Sequence, residues 1–543
     1  MFVDYFMAYS QLQFKRPKPV VLIVLDGWGI AQPYSGNAVS QSNTPVFNEL
    51  IAKYPSITLR ASGEAVGLPW GEAGNSEVGH SNLGMGRILY QDLPRINKAI
   101  SDNSFYKNKT LLAACRHAKN NKSKLHLLGL VSNGCVHSSI DHLQALMALA
   151  KEQKIERLFI HVILDGRDTP YNSGLNFIRE VERSIAEYGI GKIATISGRF
   201  YAMDRDNHWD RTEKAYLAMV EAKGNQSDDS VKAVEQSYNK KIYDEEFAPT
   251  VITAGEGQEE RKPIAKIEDG DAVIFFNYRS DRAKQITKVF TLPDFAKFKR
   301  SKYLTDLFFV CFTEYEKNLP IEIVFPQEII SNTLGEIIAA ANFKQLRIAE
   351  TEKYAHVTYF FNGGREEKSK GEEHILVPSP SVDSYDLKPE MSAFIIAEKL
   401  VKAIKEEKYD FIFVNFANPD MVGHTGNIQA AIKAIETVDK CLGKVVKACL
   451  DKDGVILVTA DHGNAEVMFN MQTGMIDKEH TANPVPFIVV GRQFEGHNLG
   501  RQDTPSGDLS LVQPQGILSD VAPTVLKIMG LPKPKEMTGR SLI

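Results

Sequence analysis

Apolar runs of strand length alternate with longer amphipathic segments along the whole chain, and that alternation dictates βα units around mostly parallel sheets. The runs at 20–25, 158–164, 193–197, 272–276, 411–416 and 455–459 have strand length and strand-type composition. Between them, the segments 177–187, 212–222, 392–407 and 428–450 repeat apolar residues three and four apart, as helices covering a sheet must. The fold class that follows is α/β. A chain of 543 residues with 43% hydrophobic content has enough apolar side chain for more than one core.

The positions at which the apolar runs stop carry the functional information. Asp26 follows the first run, Asp420 lies just past 411–416, and Asp461 and His462 lie just past 455–459. A second set behaves differently. Run 158–164 ends at Asp165, Gly166, Arg167 and Asp168, run 193–197 leads to Arg199, and run 272–276 leads to Arg279 and Arg282. Open α/β sheets bind ligands beyond the carboxyl ends of their strands, so two chemically distinct sets of strand ends predict two domains. The acidic and histidine set lies at both ends of the chain and the arginine set between them. The expected topology is therefore a discontinuous domain, 1–90 and 318–543, with a second α/β domain, 91–317, inserted into it.

Asp26, Asp420, Asp461, His424, His462 and His480 form a mixed oxygen and nitrogen ligand set sufficient for two divalent ions. Imidazole with carboxylate suits Mn²⁺ or Zn²⁺, and the scattered cysteines offer no thiolate site. Asp420 and His424 share a face if Pro419 and Asp420 open a helical turn. Asp461 and His462 are adjacent and would diverge on a strand, so they converge only past its end, where Gly463 and Asn464 follow. The run Gly71 to His80 contains glycines for close backbone approach and Ser76 where a helix can start. Alone, Ser76 reads as an N-cap with Glu77 after it. Beside a metal set and helix N–H groups that favour phosphate, it reads as a nucleophile.

Lys plus Arg total 64 against 68 Asp plus Glu, a net charge of −4 that gives no basis for binding nucleic acid. The charged first nineteen residues lack the apolar stretch of an export signal, and no apolar run reaches the ~18–20 residues needed to span a bilayer. Five scattered cysteines suit a reducing compartment, so a cytoplasmic protein without membrane association is expected.

The chain resembles the cofactor-independent phosphoglycerate mutases, metal enzymes of the alkaline phosphatase superfamily. The resemblance rests on Asp26-Gly27-Trp28-Gly29, Gly74-Asn75-Ser76-Glu77-Val78-Gly79-His80, Asp165-Gly166-Arg167-Asp168-Thr169-Pro170 and Asn277-Tyr278-Arg279-Ser280-Asp281-Arg282. It continues through Ala349-Glu350-Thr351-Glu352-Lys353-Tyr354, Asp420-Met421-Val422-Gly423-His424-Thr425-Gly426 and Ala460-Asp461-His462-Gly463-Asn464. The resemblance implies an alkaline-phosphatase-like sheet domain and interconversion of 3-phosphoglycerate and 2-phosphoglycerate through a phosphoserine on Ser76, without 2,3-bisphosphoglycerate. It implies one Mn²⁺ on Asp26, Ser76, Asp461 and His462 and another on Asp420, His424 and His480. Substrate contacts would come from His137, Arg167, Asp168, Arg199, Arg205, Arg279, Arg282 and Lys353, with Asp168 as general acid and base and the chain working as a monomer. Arg279 and Arg282 lie three apart and project from one side if Ser280 onward is helical. The chain departs from the family at Ser132-Asn133-Gly134-Cys135, at Ser139 where a second His is usual, at Glu72-Ala73, and at His208 where an Arg is usual. A metal-dependent phosphatase or another phosphomutase of the same superfamily, and a metal-dependent scaffold or binding module without catalysis, are the competing readings.

Overall fold

A computed structural model describes residues 16–254, 262–328, 330–497 and 508–543. Residues 1–15, which make up most of the nineteen from which no export signal is expected, lie outside the described residues. The chain divides into a unit of Met1–Gln91 with Ile329–Ile543 and a continuous unit, Asp92–Glu328. The second crossing comes later than 317, because Glu322–Ile323 pairs in parallel with Phe308–Cys311 and so extends the sheet of the continuous unit.

The discontinuous unit is built on one sheet. Its described strands lie in the order Glu372–Val377, Gln345–Glu350, Phe411–Phe416, Val20–Leu25, Val455–Thr459, Val485–Val490, Ser56–Arg60 and Gly516–Ile517. The first five are mutually parallel, and Val485–Val490 runs antiparallel to both of its neighbours. Every residue of Val20–Leu25 is fully buried, as expected for a central strand covered on both faces. Each such side chain contributes roughly 1.5–3 kcal/mol by leaving water, which is why the run tolerates no polar residue before Asp26. The predicted helix at 428–450 is present as Ile428–Leu450, capped by Asn427, whose side chain accepts from the Ala430 amide. Its buried face includes Ala434, Val438, Cys441 and Val445, three and four apart.

The continuous unit has its own sheet, in the order Glu322–Ile323, Phe308–Cys311, Ala272–Phe275, Leu125–Leu130, Leu158–Leu164, Ile193–Gly198, Thr250–Ala254 and Asn225–Ser227, with Lys262–Pro263 pairing to Thr250–Ala254. It too is mostly parallel, with Ile193–Gly198 and Thr250–Ala254 antiparallel. Alternation along Leu125–Leu130 sends Leu125 and Leu127 into one core and Leu128 and Leu130 into another, so apolar layers cover both faces. No helix among the described residues is long and apolar enough to cross a membrane.

Candidate functional site

Four segments of the discontinuous unit deliver the acidic and imidazole side chains to one place. Asp26 follows Val20–Leu25, and Asp461 and His462 follow Val455–Thr459, past the strand end as their adjacency requires. Asp420 and His424 sit on and just after the short helix Asn418–Gly423, with the His424 amide donating to the Asp420 carbonyl at 3.0 Å. His480 lies in the loop before Val485–Val490. Gly27 makes the convergence possible. Its φ is +72° and a Cβ there would come 2.8 Å from the Asp420 Cα, so a side chain is excluded twice.

Ser76 opens the helix Ser76–Met85, but it is not the cap. Asn75 is, its Oδ1 accepting from the Val78 amide at 3.0 Å. That leaves the Ser76 hydroxyl free for the site. Its Oγ lies 2.9 Å from His462 Nε2, 3.4 Å from Asp26 Oδ1 and 2.7 Å from Lys353 Nζ. The Lys353 ammonium also donates to Asp26 Oδ1 at 2.8 Å and Asp420 Oδ2 at 2.6 Å. Burial alone would lower the lysine pKa, but Asp26 and Asp420 outweigh it and raise it. Burial and the charge of Asp461 push Asp26 up. Burial opposes ionisation of Asp420 as well, yet Lys353 and the facing imidazoles hold it well below the usual carboxylate range.

The donor set fits divalent cations on two observations. Asp461 Oδ2 is wholly buried, 3.5 Å from His462 Nε2, and has no hydrogen bond. The rings of His424, His462 and His480 each turn Nδ1 toward a backbone carbonyl, of Lys478 at 2.7 Å, Gly463 at 3.2 Å and Gly74 at 2.9 Å respectively. Nδ1 therefore carries the hydrogen, and each Nε2 lone pair points inward, the arrangement by which a second partner orients a metal-binding imidazole. His424 Nε2 and His480 Nε2 face one another at 3.0 Å, each 3.3 Å from Asp420 Oδ1. Facing lone pairs repel unless a proton or a cation joins them. Hydrogen bonding to Asp420 raises the His424 pKa, and Asp420 likewise raises that of His480 against the effect of burial. The donor atoms of Asp420, His462 and His480 lie within 4.8 Å of one another, as do those of Asp26, His80 and Asp461. This acidic and imidazole set is consistent with binding divalent metal.

A second cluster belongs to the continuous unit. Arg199, just past Ile193–Gly198, is buried and directs Nη1 at Asp165 Oδ1, 2.5 Å away, and at Asp168 Oδ2, 2.6 Å away. Asp165 Oδ1 also accepts the backbone amides of Arg167 at 3.2 Å and Asp168 at 3.0 Å, which folds the Asp165–Asp168 turn over itself. Asp281 gathers the other groups. Its oxygens lie 3.1 Å from Arg205 Nη1, 3.2 Å from Arg279 Nε and 3.6 Å from His137 Nδ1. Burial and the repulsion of Arg199, Arg205 and Arg167 lower the pKa of Arg282, so the guanidinium groups converge. Burial and Arg199 depress His137 to about 4, which keeps its ring neutral. The side chains of Arg167, Arg205 and Arg279 remain 49%, 48% and 53% exposed, so their donors are available to an anion.

The condition that the chain be helical from Ser280 onward is not met. Ser280 opens a turn, the helix begins at Lys284, and Arg282 Nη1 donates to the Met203 carbonyl at 3.2 Å. Asp281 holding Arg279 and Arg205 fixes that turn. At the departures from the family pattern, Ser139 caps the helix Ile140–Glu152, Cys135 adopts φ +54°, and His208 Nδ1 lies 3.1 Å from Asp204 Oδ1. Sequence reasoning passed over Asn415 and gave no site role to Asn464, Asp165 and Asp281, which hold the singled-out residues in place. Asn464 Nδ2 donates to Asp420 Oδ1 at 2.9 Å and Asn415 Nδ2 to Asp26 Oδ2 at 2.7 Å. The one available signal for Asn415 was its polarity inside the apolar run 411–416.

Residues 331–487 match the family model described as type I phosphodiesterase / nucleotide pyrophosphatase, and residues 96–317 match the one described as BPG-independent PGAM N-terminus. Fold and site thus define an α/β enzyme in which an alkaline-phosphatase-like sheet unit is interrupted by a second α/β unit. A 2,3-bisphosphoglycerate-independent phosphoglycerate mutase of Clostridium perfringens is 50% identical over 97% of this chain and 99% of its own. One from Moorella thermoacetica is 50% identical over 97% of this chain and 98% of its own. The chain belongs to the 2,3-bisphosphoglycerate-independent phosphoglycerate mutases, a family of isomerases. A solved Leishmania mexicana phosphoglycerate mutase aligns over 97% of this chain and 98% of its own at 30% identity, with a TM-score of 0.49.

Proposed function

We propose that the chain interconverts 3-phosphoglycerate and 2-phosphoglycerate through a phosphoserine on Ser76, without 2,3-bisphosphoglycerate. The observation that carries the reading is the Ser76 hydroxyl at a helix N-terminus, 2.9 Å from His462 Nε2 and 2.7 Å from Lys353 Nζ among three buried carboxylates. Asp26, Ser76, Asp461 and His462 would hold one Mn²⁺ and Asp420, His424 and His480 the other. Bound there, the ions supply Lewis-acid stabilisation of charge on the nucleophile and on the transferring phosphoryl oxygens.

Ser76 Oγ attacks phosphorus as an alkoxide, the bond from phosphorus to the 3-oxygen breaks as Asp168 gives that oxygen a proton, and the glycerate is released from phosphorus but kept. Lys353 offsets charge on the phosphoryl group, and helix N–H groups at Ser76–Met85 favour it further. Arg199, Arg205, Arg279, Arg282 and Arg167, with His137, hold the carboxylate and hydroxyl groups of the glycerate through charge-assisted hydrogen bonds. Asp168, oriented by Arg199 at 2.6 Å and left as a carboxylate by that first step, removes the proton of the 2-hydroxyl, whose oxygen attacks the phosphoserine phosphorus and breaks its bond to Ser76 Oγ. The arginine cluster supports a mutase over a phosphatase, since hydrolysis has no need to retain the dephosphorylated acceptor. The proposed working unit is a monomer, and the proposed setting is the cytoplasm, in keeping with five free cysteines, of which only Cys135 is exposed.

Metal-stripped protein given 3-phosphoglycerate and no 2,3-bisphosphoglycerate should form 2-phosphoglycerate only after Mn²⁺ is added. Ser76→Ala should lower kcat by roughly 10⁴-fold or more while retaining the fold. Release of inorganic phosphate without 2-phosphoglycerate would assign the chain to the phosphatases instead.

A further inference from the structure

His80 is fully buried beside the site, yet its ring is committed differently from the three imidazoles that point lone pairs inward. Its Nδ1–H donates to the Ser76 carbonyl at 2.8 Å, one helical turn back. Its Nε2 lies 3.0 Å from Asn415 Nδ2. Asn415 stands in Phe411–Phe416 in register with Val24, two residues before Asp26, and the same Nδ2 donates to Asp26 Oδ2 at 2.7 Å. Both amide hydrogens are thereby used. Flipping the amide would set its oxygen against a carboxylate oxygen and a ring lone pair, so one orientation is strongly favoured. The His80 tautomer follows from it, with hydrogen on Nδ1 and a lone pair on Nε2 that accepts from Asn415. A ring nitrogen needs a free lone pair to ligate a metal, so His80 is not a ligand despite standing among ligands.

We propose that Asn415 and His80 are positioning residues for the Ser76 nucleophile. Asn415 fixes one oxygen of Asp26 and the ring of His80, and His80 fixes the backbone at Ser76. Asp26 Oδ1 and Ser76 Oγ are then presented to the same point, where they lie 3.4 Å apart with Lys353 Nζ 2.8 Å and 2.7 Å away. His80 Nδ1 also lies 3.2 Å from Asp461 Oδ2, so the pair of positioning residues borders Asp26 and Asp461 alike. Asparagine is required for this, because leucine of similar size has no donor and aspartate would oppose Asp26 with a second carboxylate. The assignment rests on the roles proposed for Ser76 and Asp26. Partners of metal ligands typically cost about 10–100-fold in metal affinity or activity when removed.

Two measurements on the full-length protein test it. Nitrogen-15 spectra of histidine-labelled wild type should show His80 protonated on Nδ1 and not on Nε2; a proton on Nε2 overturns the proposal without any variant being made. Asn415→Leu should lower kcat by about 10–100-fold with KM for 3-phosphoglycerate within about twofold, and should weaken one Mn²⁺ binding event in an electron-paramagnetic titration of metal-stripped protein by a similar factor. A role in packing alone would lower the unfolding temperature and leave kcat and the Mn²⁺ titration unchanged, which also overturns it. Should the wild type bind no Mn²⁺, the two-metal reading fails, whereas the tautomer and the kcat change still decide the roles of Asn415 and His80.

Discussion

At the residue scale, Lys353 determines the charge balance of the nucleophile's surroundings. Its side chain is 5% exposed and its ammonium lies 2.8 Å from Asp26 and 2.6 Å from Asp420, both of them buried. Removing one member of a buried, paired set typically costs about 3–5 kcal/mol, because the remaining charges stay buried and uncompensated. Bound Mn²⁺ would supply the missing compensation. Lys353→Met should therefore unfold at lower temperature than wild type in the presence of a chelator, and should gain more than wild type when Mn²⁺ is added. Its turnover should fall by roughly 100-fold or more, since the cation facing the phosphoryl group is lost. Scanning calorimetry with chelator and with Mn²⁺ checks the first part; an equal deficit under both conditions would contradict it.

At the scale of elements, the sheet of the continuous unit buries a polar relay. The Thr195 hydroxyl lies 2.9 Å from His161 Nδ1, His161 Nε2 2.9 Å from His126 Nδ1, and His126 Nε2 3.2 Å from Asp271 Oδ2, with Lys124 Nζ 3.2 Å from the same oxygen. Burial lowers the pKa of both imidazoles, so both are neutral in the fold, while in the unfolded chain they titrate near 6.5. The unfolded state then binds protons first, and stability is lost as pH falls from about 6.5 toward the lowered folded values, by up to ~1.4 kcal/mol per pH unit for each ring. His161→Gln, which keeps a hydrogen-bonding group without the titration, should lose about 1 kcal/mol less than wild type between pH 7.5 and 5.5. Amide exchange of Leu125–Leu130 and Leu158–Leu164 in metal-stripped protein measures this, and parallel losses in the two proteins would refute it. Of the strands that bear this relay, 158–164 and 193–197 were legible in sequence as apolar runs whose side-chain chemistry changes at their ends, at Asp165 and Arg199, whereas Leu125–Leu130, which carries His126, was not read there. The helix 428–450 was legible by its spacing. Whether Ser280 opens a helix was not legible, because the turn there is held by Asp281 to Arg205 and by Arg282 to Met203, partners distant in sequence. Nor could spacing decide between Asn75 and Ser76 as cap, since both are capping residues and only the structure shows which hydroxyl or amide the helix uses. Asn415 was hidden for a similar reason. Its partner Asp26 lies 389 positions away, brought near by strand register.

At the scale of the whole molecule, the continuous unit is an insertion whose two ends are tied together. Arg95 Nη1 donates to the Pro326 carbonyl at 2.9 Å, and its Nη2 lies 3.5 Å from Glu328 Oε1. A segment that starts and finishes at one place can be accommodated in a loop of another domain with little entropy cost, and can also be removed from it. Apolar layers cover both faces of its sheet, so its core does not depend on residues outside Asp92–Glu328. The segment 92–328 expressed alone should therefore unfold cooperatively in urea. It carries the arginine cluster but neither Ser76 nor any of the six residues proposed as metal ligands. It should bind 3-phosphoglycerate weakly, at about millimolar Kd, in a salt-sensitive manner, and form no 2-phosphoglycerate with or without Mn²⁺. Arg199→Leu in the excised segment should abolish the binding, because this buried guanidinium orients Asp168 at 2.6 Å as well as offering donors of its own. Circular dichroism with urea and titration calorimetry measure these outcomes. A cooperatively folded segment with no affinity for phosphoglycerate would show that Arg199 and its neighbours are a structural ion-pair network, and substrate recognition would have to be sought among other residues.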